Sequence, residues 1–391
     1  MPTTDLVVLI PGFLGFDHFG DYGYFSATVT EAIDTRLRSP AGAHAKVVAL
    51  KTDPAGTLAA RQRALVKQLL TQLAAAGGAG TRLHLVGHST GGLDAELLFF
   101  DPLFDTVRAS AEEIQRVRAA VRSVTTIASP LAGTTLADSP LARLLAIEDL
   151  RDVVAALRSQ LLAQAPGAFV GLAASILGSV GGDSLVTSVI HGVIQGRSAF
   201  AAYVLALLMR RALIGDLQPA HMQAMLAKKT PSGELDHVRT RHFLTVARKV
   251  PDRKPAGNLF RELDENLVTA ARREPDTEVA AIAAQLRELC DSQGVRVIGY
   301  GAVPVLDEAA ADGVVNTARQ IFRDPALREQ ELARVAAVVI ADHIDVVGYY
   351  QGKNGAEGGF LSSGSLFRDP EFNALFDCVA AEIRAAIPHD V

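Results

Sequence analysis

The chain has 391 residues, of which 49% are hydrophobic and 21% charged, and its formal net charge at pH 7 is −5. This length and apolar content are those of a globular protein with a sizeable core, built as one large α/β unit or as two domains. The acidic balance and the lack of any block of like charges argue against a nucleic-acid partner, because such proteins carry a basic surface.

Strand and helix patterns alternate over the first part of the chain. Leucines at helical spacing predict a helix over 57–78, and a second helix is predicted in LDAELLFF, directly after a strand pattern. Short apolar runs predict strands at 5–10, 45–53, 82–89 and 122–130. This alternation indicates an α/β fold with a mostly parallel sheet covered by helices on both faces.

The alternation stops between residues 135 and 235, where helical patterns rich in Ala, Leu and Gly predict an inserted helical cap, or lid. Within it, the segment 159–182 carries no charged residue and contains a GxxxG pair, so a membrane span is an alternative. Pro166 and five glycines dilute this segment and favour an apolar cap, whose apolar faces can be buried against the core, a second subunit or a lipid surface.

Strand patterns return in the last third of the chain, at 294–304 and 333–345, and a final helix is predicted at 371–387. The segment 241–250 also has strand character, but the sequence gives it no place in the sheet. The predicted organisation has three parts. Residues 1–134 form the first part of an α/β core, 135–235 form the cap, and 236–391 form the second part of the core.

The sequence LHLVGHSTGG, residues 83–92, places a serine between two glycines where a strand pattern becomes a helix pattern. Gly87, Ser89 and Gly91 match G-x-S-x-G in the strand–turn–helix context of a nucleophile elbow. The serine of such a turn has a strained backbone, and side chains two residues away would collide. It also lies at a helix N-terminus, whose dipole favours developing negative charge. An ordinary strand-to-helix turn is the alternative.

A serine nucleophile needs a base, and the base needs an acid that orients it. His343 directly follows a late strand pattern, which makes it the candidate base. The acid is expected just past the preceding strand, where Asp312 begins the turn DGVVN. Asp307 is the nearest rival to Asp312.

These residues resemble a known family. IPGFLGF, LVGHSTGGLDA, VTTIASPLAGT, DGVVN and DHIDVVG are similar, in order, to the landmarks of bacterial triacylglycerol lipases of the α/β-hydrolase fold. The resemblance covers roughly residues 5–135 and 294–350. It implies Ser89 as nucleophile, His343 as general base and Asp312 as orienting acid. It also implies that the backbone N–H groups of Phe13 and Thr90 form the oxyanion hole.

Two features depart from that family. Pro11 stands where these lipases usually have a histidine, which changes a loop contact and leaves the oxyanion donor in place. Asp345 matches one ligand of the structural calcium ion that these lipases often hold, but Tyr349 replaces another ligand. A hard cation needs several oxygen ligands. We therefore expect no metal and no other cofactor.

The sequence therefore predicts a serine carboxylic-ester hydrolase, a lipase or esterase, that cleaves apolar or lipid-like esters through an acyl-enzyme on Ser89. Phe16 and Phe19 belong to a cluster of aromatic residues at 13–25 that is expected to line the acyl site. A polyester depolymerase and an acyltransferase with the same triad remain alternatives, as does a non-catalytic binding or membrane-associated protein. The N-terminus lacks a leader pattern, which predicts a cytoplasmic location. The oligomeric state is left open.

Overall fold

The computed structural model describes most of the chain, namely residues 4–12, 18–19, 22–38, 45–52, 56–77, 80–101, 109–139, 211–231, 237–248, 259–322, 328–350 and 366–387. The strands are Thr4–Ile10 (β1), His18–Phe19 (β2), Tyr22–Gly23 (β3), Lys46–Ala49 (β4), Thr81–His88 (β5), Phe100–Asp101 (β6), Val121–Ile127 (β7), Thr230–Pro231 (β8), Arg239–Val246 (β9), Arg296–Ile298 (β10) and Val335–Ile340 (β11). The helices are Ala27–Leu37 (α1), Leu58–Ala75 (α2), Thr90–Leu97 (α3), Ala111–Ala120 (α4), Arg211–Asp216 (α5), Pro219–Leu226 (α6), Leu259–Arg273 (α7), Thr277–Asp291 (α8), Arg328–Ala333 (α9) and Asp369–Ala385 (α10).

Seven strands form one sheet in the order β10-β11-β9-β7-β5-β1-β4. Every neighbouring pair in this sheet is parallel. The carboxyl ends of the strands therefore meet at one edge, where side chains from distant parts of the sequence come together. The parallel sheet predicted from the sequence is confirmed.

Helices cover both faces of this sheet, as strand β1 shows. Leu6, Val8 and Ile10 point to one face and belong to the core formed with α2 and α4. Val7 and Leu9 alternate with them and belong to the core formed with α1 and α10. All five side chains are at most 2% exposed. Burial on both faces explains why the strand is an unbroken apolar run.

Two strands differ from their sequence patterns. The segment 241–250, which the sequence could not place, contributes β9 in the middle of the sheet, between β7 and β11. The strand predicted at 294–304 is shorter, because β10 ends at Ile298 and the chain then turns through Gly299 (φ 155°) and Gly301 (φ 79°). A side chain at Gly299 would overlap Ile340 of the neighbouring strand, so the chain turns where only glycine fits.

Much of the predicted cap, including the uncharged segment 159–182, lies outside the described residues, so its helical nature and its boundaries at 135 and 235 stay predictions. Its described end packs on the core: Leu213, Leu217 and Met222 contact the apolar cluster that holds Leu93 and Leu97 of α3. Strand β8 pairs antiparallel with β6. Within the described ranges, the helices are too short or too polar to cross a membrane.

Candidate active site

Ser89 lies on the turn between β5 and α3 with φ 54° and ψ −133°, a conformation that non-glycine residues rarely adopt. Its N–H donates to the Ile127 carbonyl of the neighbouring strand (2.9 Å). A Cβ on Gly87 would collide with the start of α3, and a Cβ on Gly91 would collide with the Ile10 carbonyl. The flanking glycines therefore let the turn pack against the end of β1, and the strain at Ser89 is held by the surrounding backbone.

His343 and Asp312 lie on loops after two other strands and contact each other directly. His343 Nδ1 is 2.8 Å from Asp312 Oδ2, and the His343 N–H donates to the Asp312 carbonyl (3.0 Å). The buried carboxylate also accepts from the N–H groups of Val314 (3.0 Å) and Val315 (2.8 Å) and from the Thr245 hydroxyl (2.5 Å). Because the carboxylate only accepts, Nδ1 carries the ring proton, and Nε2 is left as the acceptor nitrogen.

The rival acid has another partner. Asp307 is half-buried, and its carboxylate accepts the N–H of Ala309 (3.0 Å), which stabilises a local turn. The structure therefore brings Asp312, not Asp307, to His343. The turn that begins at Asp312 explains the difference, because its own N–H groups face the carboxylate.

His88 joins the loop of His343 to the turn of Ser89. Its Nε2 donates to the His343 carbonyl (2.8 Å), its Nδ1 accepts from the Tyr24 hydroxyl (2.6 Å), and the two histidine rings lie 4.7 Å apart. Burial lowers the pKa of His88 well below its usual value, and charge on His343 lowers it further, so His88 is neutral. The sequence analysis did not identify this residue, whose only signal was its position inside G-x-S-x-G.

Of the two residues predicted to donate to the oxyanion, Thr90 is among the described residues. Thr90 is the first residue of α3, so its N–H has no partner within the helix and is available to an anion. Phe13 and Phe16 lie outside the described residues. Phe19 belongs to the short hairpin of β2 and β3, in which it pairs with Tyr22. The roles predicted for these phenylalanines stay predictions.

Arg61 of α2 is hydrogen bonded to the loop after β1. The sequence analysis also missed this residue. Its guanidinium donates to the carbonyls of Pro11 (3.0 Å) and Gly12 (3.4 Å) and to the carboxylate of Asp94 in α3 (2.5 Å). Neither Arg61 nor Asp94 has any exposed side-chain surface. This buried ion pair therefore ties the loop that precedes Phe13 to the helix that begins after Ser89.

Replacing Arg61 with methionine should destabilise the protein by about 3–5 kcal/mol, because the Asp94 carboxylate stays buried without its partner. Urea denaturation, monitored by circular dichroism, measures this loss. The double variant Arg61→Met/Asp94→Leu should recover part of it, since the unpaired charge is then gone. Arg38→Met is the matched control, because the Arg38–Asp34 pair is exposed and contributes little. Equal effects at Arg61 and Arg38 would contradict the prediction.

A second cluster of buried ionisable side chains is centred on Glu96 of α3. Glu96 is fully buried, its nearest basic group is His242 Nδ1 at 4.0 Å, and neither of its carboxyl oxygens has a hydrogen-bond partner within the described part of the chain. His242 instead contacts the carboxylate of Glu331 (3.2 Å). Burial, reinforced by the charge of Glu331 and opposed by His242 and Arg334, raises the pKa of Glu96 to about 7. Glu96 is therefore protonated in the folded protein at mildly acidic pH.

A raised pKa in the folded state stabilises the protein below the pKa of the unfolded chain, near 4.5 for Glu96, and this stabilisation is lost as the pH rises to about 7. Glu96→Gln should therefore flatten the fall in stability between about pH 4.5 and pH 7. Across this window, the total difference between the two stability curves amounts to roughly 1.4 kcal/mol for each unit of pKa shift. Free energies of unfolding in urea at several pH values measure it. Parallel curves for the variant and the wild type would contradict the assignment.

Asp345, which matches one calcium ligand of the similar lipases, is hydrogen bonded to the backbone. Its carboxylate accepts the N–H of Asp342 (2.9 Å) and is buried. Among the residues that the structure describes, no group of three or more His, Cys, Asp or Glu side chains is placed to hold a metal ion. The expectation that no metal binds stays a prediction.

A parallel sheet with a strained serine after β5, and with an acid and a histidine on loops after later strands, is the α/β-hydrolase fold. No protein-family model and no curated protein matches the chain. Among solved structures, it is similar to EstA from Clostridium botulinum (16% identity, TM-score 0.48, covering 100% of this chain and 89% of that chain).

Two further structures are similar to this chain. Lipase 1 from Pelosinus fermentans has 14% identity and a TM-score of 0.45, over 97% of this chain and 99% of that chain. The mature lipase BlEst2 of Bacillus licheniformis has 12% identity and a TM-score of 0.41, over 89% and 88%.

Proposed function

We propose that the protein is a serine carboxylic-ester hydrolase that works through an acyl-enzyme on Ser89. The observation that carries the proposal is the chain of contacts at the carboxyl edge of the sheet. The strained turn that bears Ser89 is joined through His88 to the loop of His343, and His343 is hydrogen bonded to Asp312. The side chains proposed as nucleophile, base and orienting acid therefore come from elements that are connected by direct contacts, which supports the proposal.

In the first half of the reaction, the Ser89 hydroxyl attacks the ester carbonyl while Nε2 of His343 takes its proton. Asp312 holds the Nδ1–H tautomer and stabilises the imidazolium that forms. The supply of N–H and O–H donors to Asp312 supports this role, because they fix the carboxylate in the orientation that receives Nδ1–H. The imidazolium then protonates the departing alcohol, which leaves the acyl group on Ser89.

Negative charge develops on the carbonyl oxygen in both halves of the reaction. The N–H of Thr90, at the start of α3, and the N–H of Phe13 are the proposed donors to this oxyanion, each contributing about a hundredfold or more in rate. A water molecule activated by His343 then attacks the acyl-enzyme and releases the acid. This cycle needs no cofactor.

The proposed substrates are esters with an apolar acyl group. The support for this substrate class is the sequence, which concentrates aromatic residues between 13 and 25, next to the proposed oxyanion donor Phe13. Assays on a series of esters determine the preferred acyl chain length. Assays with an added alcohol determine whether the acyl group passes to water or to the alcohol.

Two assays test the proposal. The wild type should hydrolyse p-nitrophenyl esters in a series from acetate to palmitate, and its chain-length profile separates an esterase from a lipase. A fluorophosphonate probe should add one phosphonyl group, which peptide mass mapping should locate on Ser89. Adding an alcohol acceptor or a film of an aliphatic polyester detects the acyltransferase and the depolymerase.

The opposite outcome is equally clear. A folded wild type that hydrolyses none of these esters and takes up no phosphonyl group is not a serine esterase. If the probe labels a serine other than Ser89, that serine is the nucleophile and the assignment of Ser89 is wrong.

A further inference from the structure

Tyr24 has no role in the mechanism proposed above, although it contacts a residue next to Ser89. It is one of the aromatic residues that the sequence assigned to the acyl wall, but it is 8% exposed and its hydroxyl faces polar groups. The hydroxyl is 2.6 Å from Nδ1 of His88, and the backbone of Gly12 is also hydrogen bonded to it. Tyr24 thus lies between the loop after β1 and the turn of Ser89.

These groups form a chain in which every donor points the same way. The His343 carbonyl can only accept, so Nε2 of His88 carries the ring proton and Nδ1 must accept. The Tyr24 hydroxyl therefore donates to Nδ1, and its oxygen accepts the N–H of Gly12. Hydrogen bonds that run in one direction polarise and strengthen one another.

The two ends of this chain carry different parts of the proposed site. Gly12 directly precedes Phe13, the proposed oxyanion donor on the loop after β1. A Cβ on Gly12 would lie 2.5 Å from both the Tyr24 hydroxyl and Ser89 Cβ, which shows how closely these three residues pack. At the other end is the backbone of His343. The chain therefore spans the site from the oxyanion loop to the base.

We propose that Tyr24 is a positioning residue. Through His88 it fixes the backbone of His343 at a set position relative to Gly12, on the loop after β1. This inference rests on the proposed ester-hydrolase function. Without the Tyr24 hydroxyl, Nδ1 of His88 is a buried acceptor that has lost its donor. The ring is then held by the His343 carbonyl alone, so its orientation, and with it the position of the His343 backbone, is less well fixed.

The test is Tyr24→Phe, which removes one oxygen and keeps the ring. We expect kcat for p-nitrophenyl ester hydrolysis to fall about tenfold, the effect of about one to two hydrogen bonds, with KM within roughly twofold of the wild type. The His343 Nδ1–H signal in the proton NMR spectrum should also shift or broaden. Tyr350→Phe is the matched control, because Tyr350 is buried and its hydroxyl donates to Asp369 (2.5 Å), a residue at the start of α10. The control should leave kcat and the His343 signal unchanged.

A second pair of variants separates positioning from packing. A glutamine at position 88 can still donate an N–H to the His343 carbonyl, whereas a leucine cannot. His88→Gln should therefore retain more activity than His88→Leu, by about fivefold or more.

The outcomes are distinct. If the wild type is active while Tyr24→Phe keeps the wild-type kcat and His343 signal, or if Tyr24→Phe and Tyr350→Phe lower kcat equally, the positioning role is wrong. If the wild type hydrolyses no ester, the proposed function fails, and the His343 signal alone then decides whether Tyr24 orients this histidine.

Discussion

Replacing Ser89 with alanine is expected to lower kcat/KM for ester hydrolysis by about ten-thousandfold or more, because the acyl-enzyme can no longer form. Alanine keeps the Cβ that the strained turn already accommodates, so the variant should fold as the wild type does. Initial rates with p-nitrophenyl butyrate measure the loss, and a thermal melt checks the fold.

The chain offers a closely matched control for Ser89. Ser123 is also a buried serine, and its hydroxyl lies 2.9 Å from Nδ1 of His84, whose Nε2 lies 3.1 Å from Asp5. The same three residue types therefore meet near the amino ends of their strands, away from the elbow. Ser123→Ala should keep wild-type activity. If Ser123→Ala is inactive and Ser89→Ala is active, the assignment of Ser89 as the nucleophile is wrong.

Asp312→Asn is expected to lower kcat by about ten-thousandfold while the protein stays folded. The N–H groups of Val314 and Val315 should hold the amide oxygen, which turns the amide nitrogen towards His343. Nδ1 must then accept a hydrogen bond, so Nε2 carries the proton and cannot take one from Ser89. The kcat of the variant, measured beside its thermal melt, tests this expectation.

Asp307→Asn is the control, since Asp307 is the nearest rival to Asp312 in the sequence. It should retain activity, because its carboxylate only stabilises a turn. If Asp307→Asn is inactive and Asp312→Asn is active, the acid has been assigned to the wrong residue.

The parts of the fold that could be predicted are those that a local pattern specifies. Strands such as β1 and β5 are buried on both faces and appear as unbroken apolar runs. The elbow has its own glycines at Gly87 and Gly91, since only glycine fits so close to the neighbouring backbone. These features need no knowledge of distant residues.

The remaining features depend on partners far away in the sequence. Strand β9 could not be placed because His242 and Thr245 interrupt its apolar pattern, and only the fold shows that both are buried and hydrogen bonded. Arg61 and Asp94 are 33 positions apart, so nothing local marks them as a pair. The choice of Asp312 over Asp307 depends on which carboxylate reaches His343, a tertiary contact that spacing does not fix.

The adjacency of β7 and β9 has a consequence for how this protein can change over evolutionary time. The chain leaves the sheet after Ile127 and re-enters it at Arg239, yet these two strands are direct neighbours. The entropic cost of closing such an excursion grows slowly, by about 0.6 kcal/mol for each doubling of its length. A change in the length of this excursion therefore adds little to the cost of pairing β7 with β9. Lineages can therefore change the length of this segment while the pairing of the strands beside the turn of Ser89 stays the same.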